Sequence, residues 1–133
     1  MNLELSLGEA QVYMFEPVPA PRMTKAAAWS DQPGVIRYKQ FCAEVRARKI
    51  ELVPPMRLQF FIATPPSWSE REREQMVWLP HCSKPDCDNL VKGLFDAVFY
   101  GKKGGDSHMW GFVATCHWGY ESHFIVTPIL GGL

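Results

Sequence analysis

The positions of the prolines constrain this chain more than any other feature of its sequence. Proline has no amide hydrogen and a fixed backbone torsion, so it interrupts helix interiors and central strands. The prolines at 17, 19 and 21 therefore require extended backbone. Pro54–Pro55 and Pro65–Pro66 enclose a segment in which apolar residues recur at every second position. That alternation predicts a strand containing Met56, Leu58, Phe60 and Ile62.

Hydrophobic periodicity predicts two main helices, one from about Val35 to Lys49 after Pro33-Gly34 and one at Cys87–Phe99. Ser67-x-x-Glu70 and Ser69-x-x-Glu72 are capping-box patterns that indicate a short surface helix. Besides the strand between the proline pairs, strands are expected at about 10–15, 111–117 and 122–129, with a turn at 118–121. We therefore predict a single α+β domain over residues 1–133, with a small mixed β-sheet of about four strands and two main helices.

Composition excludes several classes of protein. The chain has 133 residues, of which 47% are hydrophobic, too many for a disordered tail. No apolar run reaches the roughly 18–20 residues of a membrane span. The first ten residues carry acids and no basic region, unlike a secretion signal. The four cysteines are therefore expected to be reduced thiols in a cytoplasmic protein, with Cys42 and Cys116 in the core.

Basic residues are concentrated in one segment although the net charge of the chain is zero. Between residues 22 and 49 there are two acids, Asp31 and Glu44, and seven basic residues: Arg22, Lys25, Arg37, Lys39, Arg46, Arg48 and Lys49. The local charge is thus 7 − 2 = +5. Charge alone favours a solvated helix face, and a phosphate-binding face is the alternative.

The stretch from His81 to His108 carries the residues best suited to chemistry. Asp86 and Asp88 lie two residues apart after Pro85, and extended backbone would project both to one side. Such carboxylates are hard oxygen ligands for a divalent cation such as Mg²⁺. Asp88, Lys92 and Asp96 then follow at helical spacing. The opposite helix face is apolar: Leu90, Val91, Leu94, Phe95 and Val98.

A purely structural interpretation of this stretch is that Asp88 caps the helix and forms an i,i+4 ion pair with Lys92. Asp106 favours a functional interpretation, because it lies in a glycine-rich loop before a predicted strand. From there a third carboxylate could return to the first pair, with Gly104 and Gly105 allowing a tight turn.

These residues resemble the RusA-type Holliday junction endodeoxyribonucleases. The resemblance rests on Lys84-Pro85-Asp86-x-Asp88-Asn89-Leu90-x-Lys92, then Asp96-Ala97, then Asp106 before a strand. EPVPAPRMT near the start resembles the family's proline-arginine segment, and PSWSEREREQM resembles phage-borne members, which would fit a prophage origin. The similarity extends from about residue 12 to residue 128.

The resemblance implies a RusA-like fold, a homodimer and a Mg²⁺ site for which Mn²⁺ could substitute. Asp86, Asp88 and Asp106 would bind the metal and Lys92 would assist catalysis, while Asp96 would bind metal or brace Lys92. Many members have two consecutive acids where this chain has Gly105-Asp106, which leaves the ligand count open. With branched DNA as the expected partner, and no membrane, the candidate DNA-contacting residues are Arg22, Lys25, Arg37, Lys39, Arg46, Arg48, Lys84 and Asn89.

Other interpretations compete with this one. The histidines and cysteines around and after residue 81 could suggest zinc, but their spacings match no finger pattern, and nothing marks a Cys/His nucleophile. Tryptophans could stack on unpaired bases, although packing in the core or a dimer is the simpler expectation. Among functions, the alternatives are a flap or general branched-DNA nuclease, and an inactive DNA-binding or phage-regulatory protein with the same fold.

Overall fold

The apolar alternation between the two proline pairs forms the central strand of the sheet. The computed structural model describes residues 5–21 and 32–131. Within them lie five strands: β1 (Ser6–Leu7), β2 (Gln11–Tyr13), β3 (Met56–Ala63), β4 (Phe112–Gly119) and β5 (His123–Leu130). The helices are α1 (Pro33–Ala47), α2 (Glu70–Met76) and α3 (Cys87–Phe99), followed by a 3₁₀ turn at Gly105–His108. This is the expected α+β class.

The sheet is mixed, with the order β1-β5-β3-β4. β3 pairs in parallel with β4, so that Phe60 lies opposite Cys116, and antiparallel with β5, where Phe60 lies opposite Phe124. A parallel pair requires a long crossover, and here the connection contains α2 and α3. The crossover therefore carries α3, the helix with the acidic motif, back to the start of β4.

The strand at the outer side of β5 is interrupted, which is why the sequence predicted four strands and the structure has five. Both β1 and β2 pair with β5, and residues 8–10 separate them. β1 is two residues long, too short to produce a detectable alternation. The predicted first strand, at about 10–15, contracts to Gln11–Tyr13.

The predicted turn at 118–121 was placed too early, because β4 continues through Trp118 and Gly119. The segment after α2 extends the pairing of β4. Trp78 donates its amide to the carbonyl of Trp118 at 2.9 Å, and Trp118 donates to Leu79 at 3.0 Å. These bonds join residues far apart in the sequence, so local periodicity could not indicate them.

The starts of α1 and α2 differ in how they are stabilised. α1 begins at Pro33, so Pro33 and Gly34 belong to the helix and do not precede it as predicted. Proline is favoured in the first turn, where its missing amide hydrogen costs nothing. The short helix indicated by the capping boxes is α2, and its cap is Ser69, whose hydroxyl accepts the amide of Glu72 at 3.1 Å. The second of the two Ser-x-x-Glu patterns is therefore the cap.

The hydrophobic core lies between one face of the sheet and the helices α1 and α3. The largest fully buried side chains include Leu58, Phe60 and Phe124 from the sheet and Leu90 and Leu94 from α3. All four cysteines are free thiols, with Cys116 buried and Cys42 partly buried against the core. No helix in the described ranges is long and apolar enough to cross a membrane.

The proline-rich segment packs directly on α3. A Cβ atom added at Gly93 would lie 2.5 Å from the carbonyl oxygen of Val18, a distance that real Cβ contacts do not show. Tyr38 of α1 donates its hydroxyl to the Gly93 carbonyl at 2.9 Å. The absence of a side chain at Gly93 thus lets α1, α3 and the proline-rich segment meet beside the acidic motif.

Candidate active site

Helix α3 presents two distinct faces, as its periodicity predicted. The apolar positions are all buried: Leu90, Val91, Leu94, Phe95 and Val98. Asp88, Lys92 and Asp96 are exposed along the other side. The burial of one face therefore orients the carboxylate, ammonium and carboxylate outward.

The N-terminus of α3 separates the two acids of the motif. Asp86 occupies the N-cap position, but its side chain makes no capping hydrogen bond, and its Oδ2 lies 3.4 Å from Nζ of Lys84. Asp88 lies inside the first turn and is not the cap. Among the ion pairs of residues 5–21 and 32–131, none joins Asp88 to Lys92. Neither part of the structural interpretation of Asp88 is found.

The fold brings Asp106 to the cavity that Asp88 and Lys92 also line. All three line one cavity of about 690 Å³, whose apolar wall includes Met109 and Phe112. The 3₁₀ turn that carries Asp106 is entered through Gly104, with a φ of 85°, and Gly105, with a φ of 53°. These are left-handed backbone conformations that favour glycine. A residue with a side chain would be strained at position 105, where many family members carry an acid.

The donor set of this cavity fits a hard divalent cation. Asp88 and Asp106 supply two carboxylates, and Mg²⁺ is commonly held by one or two carboxylates while retaining several waters. Asp86 does not line the cavity. Within the described part of the chain, no three His, Cys, Asp or Glu side chains are grouped closely enough to hold one metal ion. The arrangement therefore suits a hydrated ion on two carboxylates better than a site closed by protein ligands.

Two of the histidines that could suggest zinc have other surroundings. His81 is buried against Trp118, with ring centroids 4.4 Å apart, and neither ring nitrogen has a hydrogen-bond partner. Burial lowers the pKa of His81 below its usual value, which favours the neutral ring. His117 donates from Nδ1 to the Trp78 carbonyl at 3.1 Å, and its Nε2 forms a hydrogen bond with the Thr115 hydroxyl at 2.9 Å. These groups serve the packing of the sheet edge.

A second cavity of about 860 Å³ adjoins the first, and Lys92, Phe95 and Asp106 line both. Asp96 lies in this second cavity. Burial raises the pKa of Asp96; the nearby ammonium of Lys92 opposes that rise and the negative charge of Asp106 adds to it. Lys92 is therefore the cation beside two carboxylates, Asp96 and Asp106, and is positioned as their counter-charge.

The basic residues of α1 fall on two different faces. Lys39 and Arg46 line the second cavity, next to Lys92 and Asp106. Arg37 instead forms an ion pair with Glu16, and Arg48 pairs with Glu44 at 2.8 Å and lies over the ring of Phe15. The basic face expected from the sequence is thus divided, and among these four cations Lys39 and Arg46 are the two that face the site.

The other candidate DNA-contacting residues have different surroundings. Lys84 is exposed near Asp86, and Asn89 is exposed in the first turn of α3. Arg22 and Lys25 lie outside the described residues.

Aromatic side chains near the site were not singled out from the sequence. Tyr38, Phe99 and Tyr100 line the second cavity. The only local signal was the Phe99-Tyr100 pair directly before the glycine-rich loop. The tryptophans of the described ranges do not line either cavity. Trp118 is buried and lies 4.9 Å from Trp68 between ring centroids, Trp78 and Trp110 are exposed, and Trp29 is outside the described residues.

Comparison with known proteins identifies the family of the chain. The family model of endodeoxyribonuclease RusA matches residues 15–127, a range that contains the whole of the acidic motif, the 3₁₀ turn and α1. No curated protein and no solved structure matches the chain. The matched range covers most of the 133 residues, and the chain therefore belongs to the RusA endodeoxyribonuclease family.

Proposed function

We propose that this protein is a Mg²⁺-dependent, structure-selective endonuclease that cuts four-way DNA junctions and serves recombination and repair. Membership of the RusA family supports cleavage of DNA. The observation that carries the finer proposal is the convergence of Asp88, Lys92 and Asp106 on one cavity. Two carboxylates that can hold a metal ion and a nearby ammonium are groups suited to metal-assisted phosphodiester hydrolysis.

Asp88 and Asp106 would hold the Mg²⁺, or Mn²⁺ in its place, and Asp86 would add a third carboxylate from the start of α3. The ion, when bound, would supply Lewis-acid activation of the phosphate and a water of lowered pKa. The first turn of α3 carries Asp88, and the turn entered through two left-handed glycines carries Asp106. The protein's contribution would thus be to bring two anionic side chains to one cavity before the substrate arrives.

Lys92 would act on the phosphate directly. Hydrolysis adds negative charge to the phosphoryl oxygens in the transition state, and a fixed ammonium stabilises that charge more than it stabilises the ground state. Asp96 and Asp106 face Lys92 from the second cavity and would hold its side chain toward the site. In this scheme Asp96 is a positioning residue.

DNA would approach across the cavities, with its backbone on Lys39 and Arg46. Phosphate contacts orient a duplex without reading its sequence, so preference for a junction must come from the shape of the branched DNA. Arg22 and Lys25 remain candidates for further phosphate contacts, as do Lys84 and Asn89 at the start of α3.

The test is cleavage of end-labelled four-way junction, flap and linear duplex of matched sequence, each with Mg²⁺ and with chelator. We expect Mg²⁺-dependent cuts placed symmetrically in the junction and slow cutting of duplex. Faster cutting of the flap would identify a flap nuclease. Tight junction binding without cleavage under any metal condition would identify an inactive DNA-binding protein and refute the proposal.

A further inference from the structure

The second cavity extends from Asp106 to the end of α3, and its walls suit a different part of the substrate from the one held at the acids. We propose that it receives an unstacked nucleobase of the strand being cut, next to the scissile phosphate. This inference rests on the proposed function, because it assigns a subsite for the same DNA. The cavity, of about 860 Å³, lies within the size range of pockets that hold small ligands.

The walls of this cavity are aromatic and partly open. Tyr38, Phe95, Phe99 and Tyr100 contribute rings, and Tyr100 is 78% exposed at the end of α3. An exposed tyrosine ring offers a flat face on which a base can stack. Every base has a flat π face, so a platform of this kind would accept any of them.

The charges around the cavity fit a nucleotide better than a purely apolar ligand. The guanidinium of Arg46 lies 6.0 Å from the centroid of the Tyr100 ring, and Lys39 lies on the same wall. A base on Tyr100 would therefore bring its own phosphate within reach of two cations. The combination of aromatic platform and flanking cation is typical of sites for single-stranded nucleic acid.

The second cavity adjoins the first, which contains Asp88, Lys92 and Asp106, and this determines which nucleotide could enter it. Lys92 and Asp106 line both cavities, so a phosphate at Lys92 has the second cavity directly beside it. A base adjoining the scissile phosphate could turn into that cavity without moving the backbone away from the acids. Bases are most easily unstacked where strands exchange at a junction, and such an energy cost is a recognised source of selectivity. The subsite would thereby favour branched DNA over intact duplex.

The decisive experiment is a cycle that combines a protein change with a base deletion. Junctions carrying a single abasic nucleotide, placed in turn at each position flanking the cut, are compared with the intact junction. Each is titrated by gel shift in chelator and cleaved in Mg²⁺, with wild type, Tyr100→Ala and Tyr100→Phe. Tyr120→Ala is the matched control, since Tyr120 is also an exposed tyrosine, 53% exposed, in the β4–β5 turn.

At one abasic position we expect wild type to lose about tenfold in affinity or cleavage, from the loss of one stacked base. Tyr100→Ala should lose a similar factor on the intact junction and nothing more on that abasic junction. Tyr100→Phe should behave as wild type, and Tyr120→Ala should show the full abasic loss. Such non-additivity is evidence of contact between the ring and the base.

Three outcomes would overturn the subsite. One is additive losses at every abasic position, and another is a Tyr100→Ala enzyme that binds and cuts as wild type. The third is a Tyr100→Ala protein whose mass by light scattering falls relative to wild type, which would make Tyr100 a subunit contact. Wild type that cuts intact junctions normally in these cases would leave the proposed function standing. Wild type that neither binds nor cuts them would refute both.

Discussion

At the scale of the residue, Asp88 separates a catalytic from a structural account of the motif. It is neither the cap of α3 nor an ion-pair partner of Lys92 within the described chain, and its one structural contribution there is a favourable position for a negative charge in the first turn of the helix. It instead shares a cavity with Lys92 and Asp106. Asp86 differs, because its carboxylate lies beside Lys84 and outside that cavity.

Asp88→Asn keeps the size of the side chain and removes the charge. We predict that junction cleavage in Mg²⁺ falls by several orders of magnitude, because the metal supplies most of the catalysis. Binding in chelator should persist or tighten, since clustered carboxylates repel the phosphate. Gel shift and a cleavage time course measure the two effects, and Glu121→Gln, an exposed acid in the β4–β5 turn, is the control. Near wild-type cleavage by Asp88→Asn would contradict the assignment.

The same comparison distinguishes the other site residues. Asp106→Asn and Asp86→Asn should both lose cleavage as Asp88→Asn does, because each removes a carboxylate assigned to the metal. Lys92→Ala should lose cleavage without any gain in metal-free binding, because it removes a positive charge. A Lys92→Ala protein that binds more tightly in chelator would show that its ammonium does not face the phosphate.

At the scale of the element, the basic residues of α1 and its C-cap lie on two faces. One face lines the second cavity, and the cations of the other form ion pairs with glutamates. Lys39 and Arg46 line the second cavity, whereas Arg37 and Arg48 are engaged by Glu16 and Glu44. The sequence showed the excess charge, but helical spacing alone could not say which face would meet the site. That depended on how α1 packs against α3.

Two double variants of equal charge test this division. We predict that the double variant Lys39→Ala/Arg46→Ala binds the junction more weakly. The slope of the logarithm of its binding constant against the logarithm of the salt concentration should fall by the amount expected for about two phosphate contacts. Arg37→Ala with Arg48→Ala removes the same charge from the other face and should leave that slope roughly unchanged. The measurement is binding titrated over a series of salt concentrations. Equal slopes for the two double variants would contradict the assignment of faces.

The junction of α3 with the proline-rich segment depends on a single glycine. Gly93→Ala would force a methyl group against the Val18 carbonyl, and we predict a loss of about 1–3 kcal/mol in the free energy of unfolding. Gly34→Ala, in the first turn of α1, is the control: nothing lies within 4 Å of the added Cβ, and about 0.5–1 kcal/mol of stabilisation is expected. Denaturant unfolding measures both. Stabilisation by Gly93→Ala would mean that the segment does not pack there.

At the scale of the whole molecule, the proposed substrate has a symmetry that one chain of 15.2 kDa lacks. Resolving a four-way junction requires cuts in two strands of like polarity, and two active sites related by a two-fold axis match that requirement. Closed two-fold dimers are also the commonest homo-oligomers. We therefore predict a dimer at micromolar concentration. Light scattering that gives a mass near 15.2 kDa would contradict it.

The sequence by itself determined the elements and the order of groups along α3. Proline positions and period-two or helical alternation indicate structure locally, and the spacing of Asp88, Lys92 and Asp96 follows from helix geometry alone. The glycine-rich loop before a predicted strand added Asp106 to that set, and the family resemblance gave it a metal-binding role. The cytoplasmic setting of the protein stays a prediction.

Only the tertiary structure decided what these groups face. It brought Asp106 to Asp88, divided the cations of α1 between two faces and joined the second cavity to the first. It also revealed the two-residue strand β1 and the extension of β4 by the segment after α2. Each of these depends on contacts between segments remote in sequence, where the packing of one surface on another, and not local periodicity, fixes the position of a side chain.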